Sequence, residues 1–196
     1  MKITAEQLKK IFPNAKADKC EMYAAAFTKE FPNYSMFTPR RVAAFLGQVG
    51  VESGELKYDE ELRSKWNTEN PKDSSQITGN LYENRKNLGN YVVGDGPKFI
   101  GRGIIQLTGR ANYTKFSGKV GVDLVKNPER AKEPPISTKI ALEYWKDRNL
   151  NSHADVWNLD KVTELVNGKA KIHLDKRIEY SERALKVLEG DKPNAA

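Results

Sequence analysis

The chain has 196 residues, enough for one domain with a full core, and its 38% hydrophobic and 30% charged residues suit a soluble globular protein. No apolar run approaches the roughly 18 to 20 residues that a membrane span needs, the opening Met1-Lys2-Ile3-Thr4-Ala5-Glu6-Gln7-Leu8 lacks the apolar stretch of a secretory signal, and the lone Cys20 excludes an intramolecular disulfide. A net charge of +7 favours a polyanionic partner, whether nucleic acid, an anionic membrane or an acidic cell wall, but it equally describes a solvated basic surface.

In chain order, Thr4 and Gln7 form a capping box ahead of Leu8, Ile11 and Phe12, which predicts a short first helix ended by Pro13. A second helix is expected over 15–31, with Cys20, Tyr23, Ala24 and Phe27 as its buried stripe. Thr38-Pro39 reads as an N-cap with proline in the first turn of a third helix, whose apolar face is Val42, Phe45, Leu46 and Val49 and which ends near Gly54. From Tyr58 to Pro97 periodicity fades into Asn, Gly, Ser, Asp and Pro, as in Asn70-Pro71-Lys72-Asp73-Ser74-Ser75, which predicts functional loops. Phe99 to Gly109 suits a short strand or hairpin. Further helices are expected over 112–116, 137–147, 160–166 and 175–188, with a frayed tail over 190–196. The expectation is a mainly α single domain over 1–196, with N-terminal helices over 1–34.

Glu52 carries the most information. Counting back by three and four residues reaches Val49, Phe45 and Val42, so a carboxylate continues an apolar stripe in the last turn of a helix. Desolvation and the helix dipole both disfavour its charge there, which suits a carboxylic acid that must donate a proton. The competing reading is a structural carboxylate paired with a buried Arg or Lys. Glycoside hydrolysis also needs a second carboxylate, and Glu55, Asp59, Glu60, Glu61 and Glu69 all follow; spacing alone does not choose among them.

Phe45-Leu46-Gly47-Gln48-Val49-Gly50-Val51-Glu52-Ser53-Gly54, then Gly101-Arg102-Gly103-Ile104-Ile105-Gln106-Leu107-Thr108-Gly109 and Asn112-Tyr113, resemble the family-19 chitinase group of glycoside hydrolases, and within it the phage and prophage endolysins. Tyr82-Glu83-Asn84-Arg85, Leu88-Gly89-Asn90 and Val166-Asn167-Gly168 extend the resemblance, which covers residues 35 to 190.

The resemblance implies a lysozyme-like α+β fold with a small β-hairpin and a deep substrate cleft. It also implies an inverting mechanism with neither metal nor cofactor. Glu52 would be the acid, Glu61 the base with Glu60 as its competitor, and Thr108 the hydroxyl that helps position the attacking water. Gln106, Asn112, Tyr113 and Asn167 would bind substrate, as would Arg177, an arginine that reaches the catalytic carboxylates. Arg102 reads as structural. Two positions depart from the family pattern: Val51 stands where a histidine commonly precedes the acid, and the disulfides of plant members cannot form.

The substrate so implied is the β-1,4 glycan strand of peptidoglycan, cut by a monomeric endolysin that waits in the host cytoplasm until it is released to the wall. Chitin is the alternative substrate, and a non-catalytic wall-binding module is a second alternative. Nucleic acid is not expected, because no binding motif accompanies the scattered basic residues. A weak contact with an anionic membrane or the outer membrane is a secondary reading, from Lys169, Lys171, Lys176, Arg177, Arg183 and Lys186 around the apolar stripe of the last helix.

Overall fold

Apolar side chains at helical spacing decide where the chain coils in the computed structural model, which describes residues 1–62 and 77–190. Two compact units result, one made of Met1–Lys57 with the chain from Ala141 onward, the other of Tyr58–Ile140.

The first unit opens with α1 (Ala5–Ile11), whose Thr4 and Gln7 form the expected reciprocal capping box. Helix α2 (Ala17–Glu30) buries Cys20, Tyr23, Ala24 and Phe27, so the cysteine serves as core packing; burial pushes its thiol up from the ordinary range. Helix α3 (Pro39–Glu52) starts at Thr38, whose hydroxyl accepts from Arg41 N, and buries nine consecutive residues from Val42 to Gly50. Phe45 meets Phe27, Phe31 and Trp145 edge-on, so aromatic rings anchor this helix.

Two glycines explain how closely α3 meets α9 (Leu174–Gly190). A methyl group at Gly47 would lie 1.9 Å from Ser181 Oγ and 2.7 Å from the Arg177 carbonyl oxygen, and one at Gly50 would strike the rings of Phe12 and Tyr180. Helix α9 buries Arg177, Tyr180, Ser181, Ala184 and Leu188. Its apolar stripe is therefore core, and of the six basic residues named for this helix and its approach Arg177 alone is buried and not part of a solvated face. Helices α7 (Leu150–Asp155) and α8 (Leu159–Asn167) complete the unit. The six-residue α7 was not expected, because it is too short to show an amphipathic period.

In the second unit the expected hairpin reduces to two isolated antiparallel bridges, Glu60 with Arg102 and Arg102 with Leu107. The reason is local: Gly103 at φ +76° and Gln106 at φ +53° turn the chain inside the segment, so no ladder can propagate. The loop region instead contains the 3₁₀ turns Asn80–Tyr82 and Lys86–Leu88 and the one-turn α4 (Asp95–Lys98). Helix α5 (Arg110–Val120) is longer than expected, running between Gly109 and a left-handed Gly121. Helix α6 (Pro134–Asp147) begins earlier than expected, as proline is tolerated in a first turn. Glu69 and the 70–75 loop lie outside the described residues, as does the tail beyond Gly190.

Candidate active site

Glu52 is the last residue of α3, and a Schellman turn closes the helix just beyond it. Glu55 N donates to Gly50 O at 2.8 Å, Gly54 N to Val51 O at 3.3 Å, and Gly54 takes φ +57°. Ser53 Oγ ties the turn by donating to Val49 O and accepting from Leu56 N. The two non-glycine residues that follow, Glu55 and Leu56, are also left-handed, which is costly unless other contacts compensate. Glu55 supplies them: it accepts from Asn14 N at 2.8 Å, Asn14 Nδ2 at 3.1 Å and the Tyr180 hydroxyl at 2.6 Å. Burial works against its charge, but these hydrogen bonds outweigh it and hold the carboxyl below the usual range. Glu55 is therefore a structural tie.

Glu52 Oε1 accepts from Arg177 Nη2 at 2.6 Å. The arginine side chain is 2% exposed and that of Glu52 is 22% exposed. The carboxylate is thus paired with a buried cation, as the competing sequence reading has it, yet still reaches the surface. The remaining guanidinium nitrogens are committed, with Nη1 donating to Gln48 Oε1 at 2.8 Å and Nε to Ile172 O at 3.1 Å. Gln48 Nε2 donates in turn to Thr163 Oγ1. With every nitrogen taken and the side chain buried, Arg177 reaches the Glu52 carboxylate, as the resemblance implies, and leaves no guanidinium nitrogen uncommitted for direct contact with a sugar. Tyr144 lies within electrostatic reach; burial raises its phenol, Arg148 over its ring opposes that, and Glu52 reinforces it.

The second unit separates Glu60 from Glu61. Glu60 Oε2 accepts from Arg102 Nε at 2.7 Å and from Lys132 Nζ at 3.3 Å. Burial opposes its charge, and the two cations overcome that, so its carboxyl is held below the usual range. Glu61 has a different environment. The Tyr82 hydroxyl donates to its Oε1 at 2.6 Å and Gly101 N to its Oε2 at 3.1 Å, and it has no ion pair among the described residues. Asp59 is tied through its backbone, its carbonyl accepting from Gly103 N.

Gly101 explains what gathers around Glu61. A methyl group there would lie 2.7 Å from Gln106 Oε1 and 3.3 Å from both Glu61 Oε2 and Thr108 Oγ1, so three expected site residues converge on the space that glycine leaves open. Thr108 Oγ1 donates to Gln106 O at 2.9 Å, and Gln106 Nε2 donates to Gly103 O at 3.0 Å, which orients the amide. The tight turn is also braced from behind, where Ile104 N donates to the buried Ser137 hydroxyl.

The other expected residues fare differently. Asn112 is exposed at the start of α5 and donates to Thr108 O. Asn167, half-exposed at the end of α8, accepts from Ile172 N at 2.6 Å. Tyr113 is fully buried; its hydroxyl donates to Ile100 O and accepts from Arg102 Nη1, and burial pushes the phenol up to about 12 against the opposing pull of Arg102. It braces the protein behind Glu60, which corrects the expectation of sugar contact. Two supporting residues escaped the sequence reading. Gln48 had a visible signal, a second polar residue one turn before Glu52 on the same buried face; for Tyr82 nothing in spacing could have shown its bond to Glu61.

The chitinase class I family profile matches residues 19–158. A glycosyl hydrolase family 19 domain-containing protein of Haemophilus influenzae is 31% identical over 209 residues, covering 97% of this chain and 99% of its own. Endochitinase A2 of Pisum sativum is 31% identical over 130 residues, 60% of this chain but 37% of the pea protein. Among solved structures, chitinase C from Streptomyces griseus superposes with a TM-score of 0.70 at 21% identity, covering 95% of this chain and 76% of that one. A bacterial family 19 chitinase gives the same TM-score at 20% identity, with 100% and 98% covered.

Proposed function

Since this chain belongs to glycoside hydrolase family 19 and is a glycoside hydrolase, we propose that it cleaves β-1,4 bonds of peptidoglycan as a monomeric, phage-type endolysin, using Glu52 as acid and Glu61 as base. The observation that carries the assignment is the contrast among the carboxylates. Glu55 is a buried tie and Glu60 is neutralised by Arg102 and Lys132, whereas Glu61 is held only by a phenol and a backbone amide; Glu52, at the end of the α3 stripe, meets a single buried cation and keeps part of its surface open.

The chemistry proceeds by inversion. The protonated Glu52 donates to the leaving glycosidic oxygen, and the Glu61 carboxylate takes a proton from a water that attacks the opposite face of the sugar. That geometry calls for carboxyl groups roughly 6.5 to 9.5 Å apart, along an open substrate cleft. Thr108 Oγ1, beside Glu61, offers a hydroxyl to orient the water, and the Gln106 and Asn112 amides suit sugar hydroxyl and acetamido groups. Arg177 fixes the Glu52 carboxyl and becomes its counter-ion once the proton has left.

Substitution tests the assignment. Glu52→Gln is expected to lower turnover by several orders of magnitude while glycan binding is retained, and Glu61→Gln to do the same. A non-catalytic wall-binding module would show no such loss. Chitin is the second reading, favoured by the endochitinase names of the plant relatives; the +7 net charge favours the anionic bacterial wall. Clearing of outer-membrane-permeabilised bacteria, measured beside release from chitin oligomers, separates the two. Mass spectrometry of the sugar at the new reducing end identifies the bond cut.

A further inference from the structure

In the second unit the loop between Asn90 and Asp95 carries Tyr91, Val92 and Val93, which are 68%, 55% and 92% exposed. Single exposed apolar side chains are ordinary on a protein surface, but three in succession at one turn lie outside that pattern. The turn is also clamped. Asp95 Oδ2 accepts from Tyr91 N and Val92 N at 3.0 Å each, while Arg110 Nε grips the same carboxylate at 2.8 Å. Glu83 accepts from Gly94 N at 2.6 Å and Gly96 N at 2.7 Å, closing the other side. An apolar tip held in one conformation loses little ordering entropy when something covers it.

The chemistry of the tip selects its partner. Valine offers a sugar neither a hydrogen bond nor a flat ring face, but it enters hydrocarbon readily. Tyr91 adds an amphipathic ring of the kind that settles at a lipid–water boundary. Three exposed cations belong to the same segment. Along the backbone Asn90 N bonds to Arg85 O, the Tyr91 hydroxyl to Lys86 O, and Lys98 N to Gly94 O; none of Arg85, Lys86 and Lys98 is ion-paired among the described residues, and Lys98 Nζ lies 5.3 Å from the centre of the Phe99 ring. The acids of the segment, Glu83 and Asp95, point at backbone amides and Arg110.

We propose that the Tyr91–Val93 tip docks the protein on an anionic phospholipid bilayer, with the valines in the acyl boundary and Arg85, Lys86 and Lys98 over lipid phosphates. This activity is separate from glycan cleavage and does not depend on which glycan is cut.

The test is co-sedimentation of the full chain with vesicles of phosphatidylglycerol mixed into phosphatidylcholine, beside vesicles of phosphatidylcholine alone. Binding is expected to the anionic vesicles only, and to weaken with salt. V92D/V93D should lower it about tenfold or more, and K86E/K98E should also reduce it. Both variants should keep the wild-type melting temperature and turnover of a soluble glycan fragment. Failure of the wild type to sediment with anionic vesicles, or undiminished binding by V92D/V93D, overturns the proposal. Loss of turnover on lipid-free cell walls by V92D/V93D, with vesicle binding intact, also overturns it and assigns the tip to glycan.

Discussion

Gly47→Ala probes how the buried arginine is delivered to Glu52. The change gains about 1 kcal/mol of helix propensity, against which the new methyl group meets Ser181 Oγ at 1.9 Å and the Arg177 carbonyl oxygen at 2.7 Å. The hydroxyl can rotate away, but the carbonyl belongs to the backbone of α9 and must move by about 0.6 Å or more to reach an ordinary carbon–oxygen separation. Overpacking of this kind costs up to about 3 kcal/mol, so the net loss is about 2 kcal/mol, or roughly 4 to 8 °C in Tm for a chain of this size. The same displacement would lengthen the 2.6 Å Arg177–Glu52 bond beyond good geometry. A hydrogen bond to a charged group contributes about 1.5 to 3 kcal/mol, so turnover should fall roughly 10- to 100-fold. Thermal melts and turnover on isolated cell walls, with Ser181→Ala and Gly50→Ala as controls, test both numbers. The nearest atoms to the Gly50 methyl belong to the rings of Phe12 and Tyr180, so that variant should lose stability with a smaller effect on turnover. If adding Ser181→Ala to Gly47→Ala restores both quantities, the backbone carbonyl was not the obstacle and the reasoning fails.

Other outcomes follow from the same contacts. Tyr82→Phe removes the phenol that donates to Glu61 Oε1 and should lower kcat roughly 10-fold with KM unchanged, whereas a rise in KM alone would place Tyr82 in substrate binding instead. Asp95→Asn breaks the pair between a buried carboxylate and the partly exposed Arg110 and should cost about 1.5 to 3 kcal/mol at neutral pH, seen in denaturant melts. The Arg110 hydrogen bond, against the opposing effect of burial, holds the Asp95 carboxyl below its usual range. Its contribution is therefore complete above the ordinary aspartate range and fades as pH falls through the lowered value. The gap between wild type and Asp95→Asn should accordingly narrow in acid, and a gap that widened would contradict the pairing. Glu55→Gln should likewise destabilise at neutral pH with a shallower loss on acidification, because its lowered carboxyl has the same sign.

The parts of the molecule legible in the sequence are those governed by neighbours along the chain. The Thr4–Gln7 capping box, the Thr38-Pro39 start of α3 and the placing of Glu52 at its end depend on residues within about one or two turns, so spacing exposes them. The bridges at Arg102 were misread as a hairpin because β-rich composition hides where Gly103 and Gln106 turn the backbone. The resemblance carries Tyr113 into the substrate-binding set together with Asn112, yet one step along the helix takes its side chain from the exposed to a buried side. Partners that meet only after folding, such as Tyr82 with Glu61, leave no periodic trace. The choice between Glu60 and Glu61 needed Arg102 and Lys132, which lie 42 and 72 residues away in the chain.

The bond between Arg177 and Glu52 joins positions 125 residues apart. A ribosome adds on the order of 5 to 20 residues each second, so the carboxylate emerges many seconds before its guanidinium. Throughout that interval Gly47 and Gly50 leave α3 with two bare notches that α9 has yet to fill. The Glu52–Arg177 pair therefore cannot close until α9 has been made, and the carboxylate must spend that interval without its buried cation.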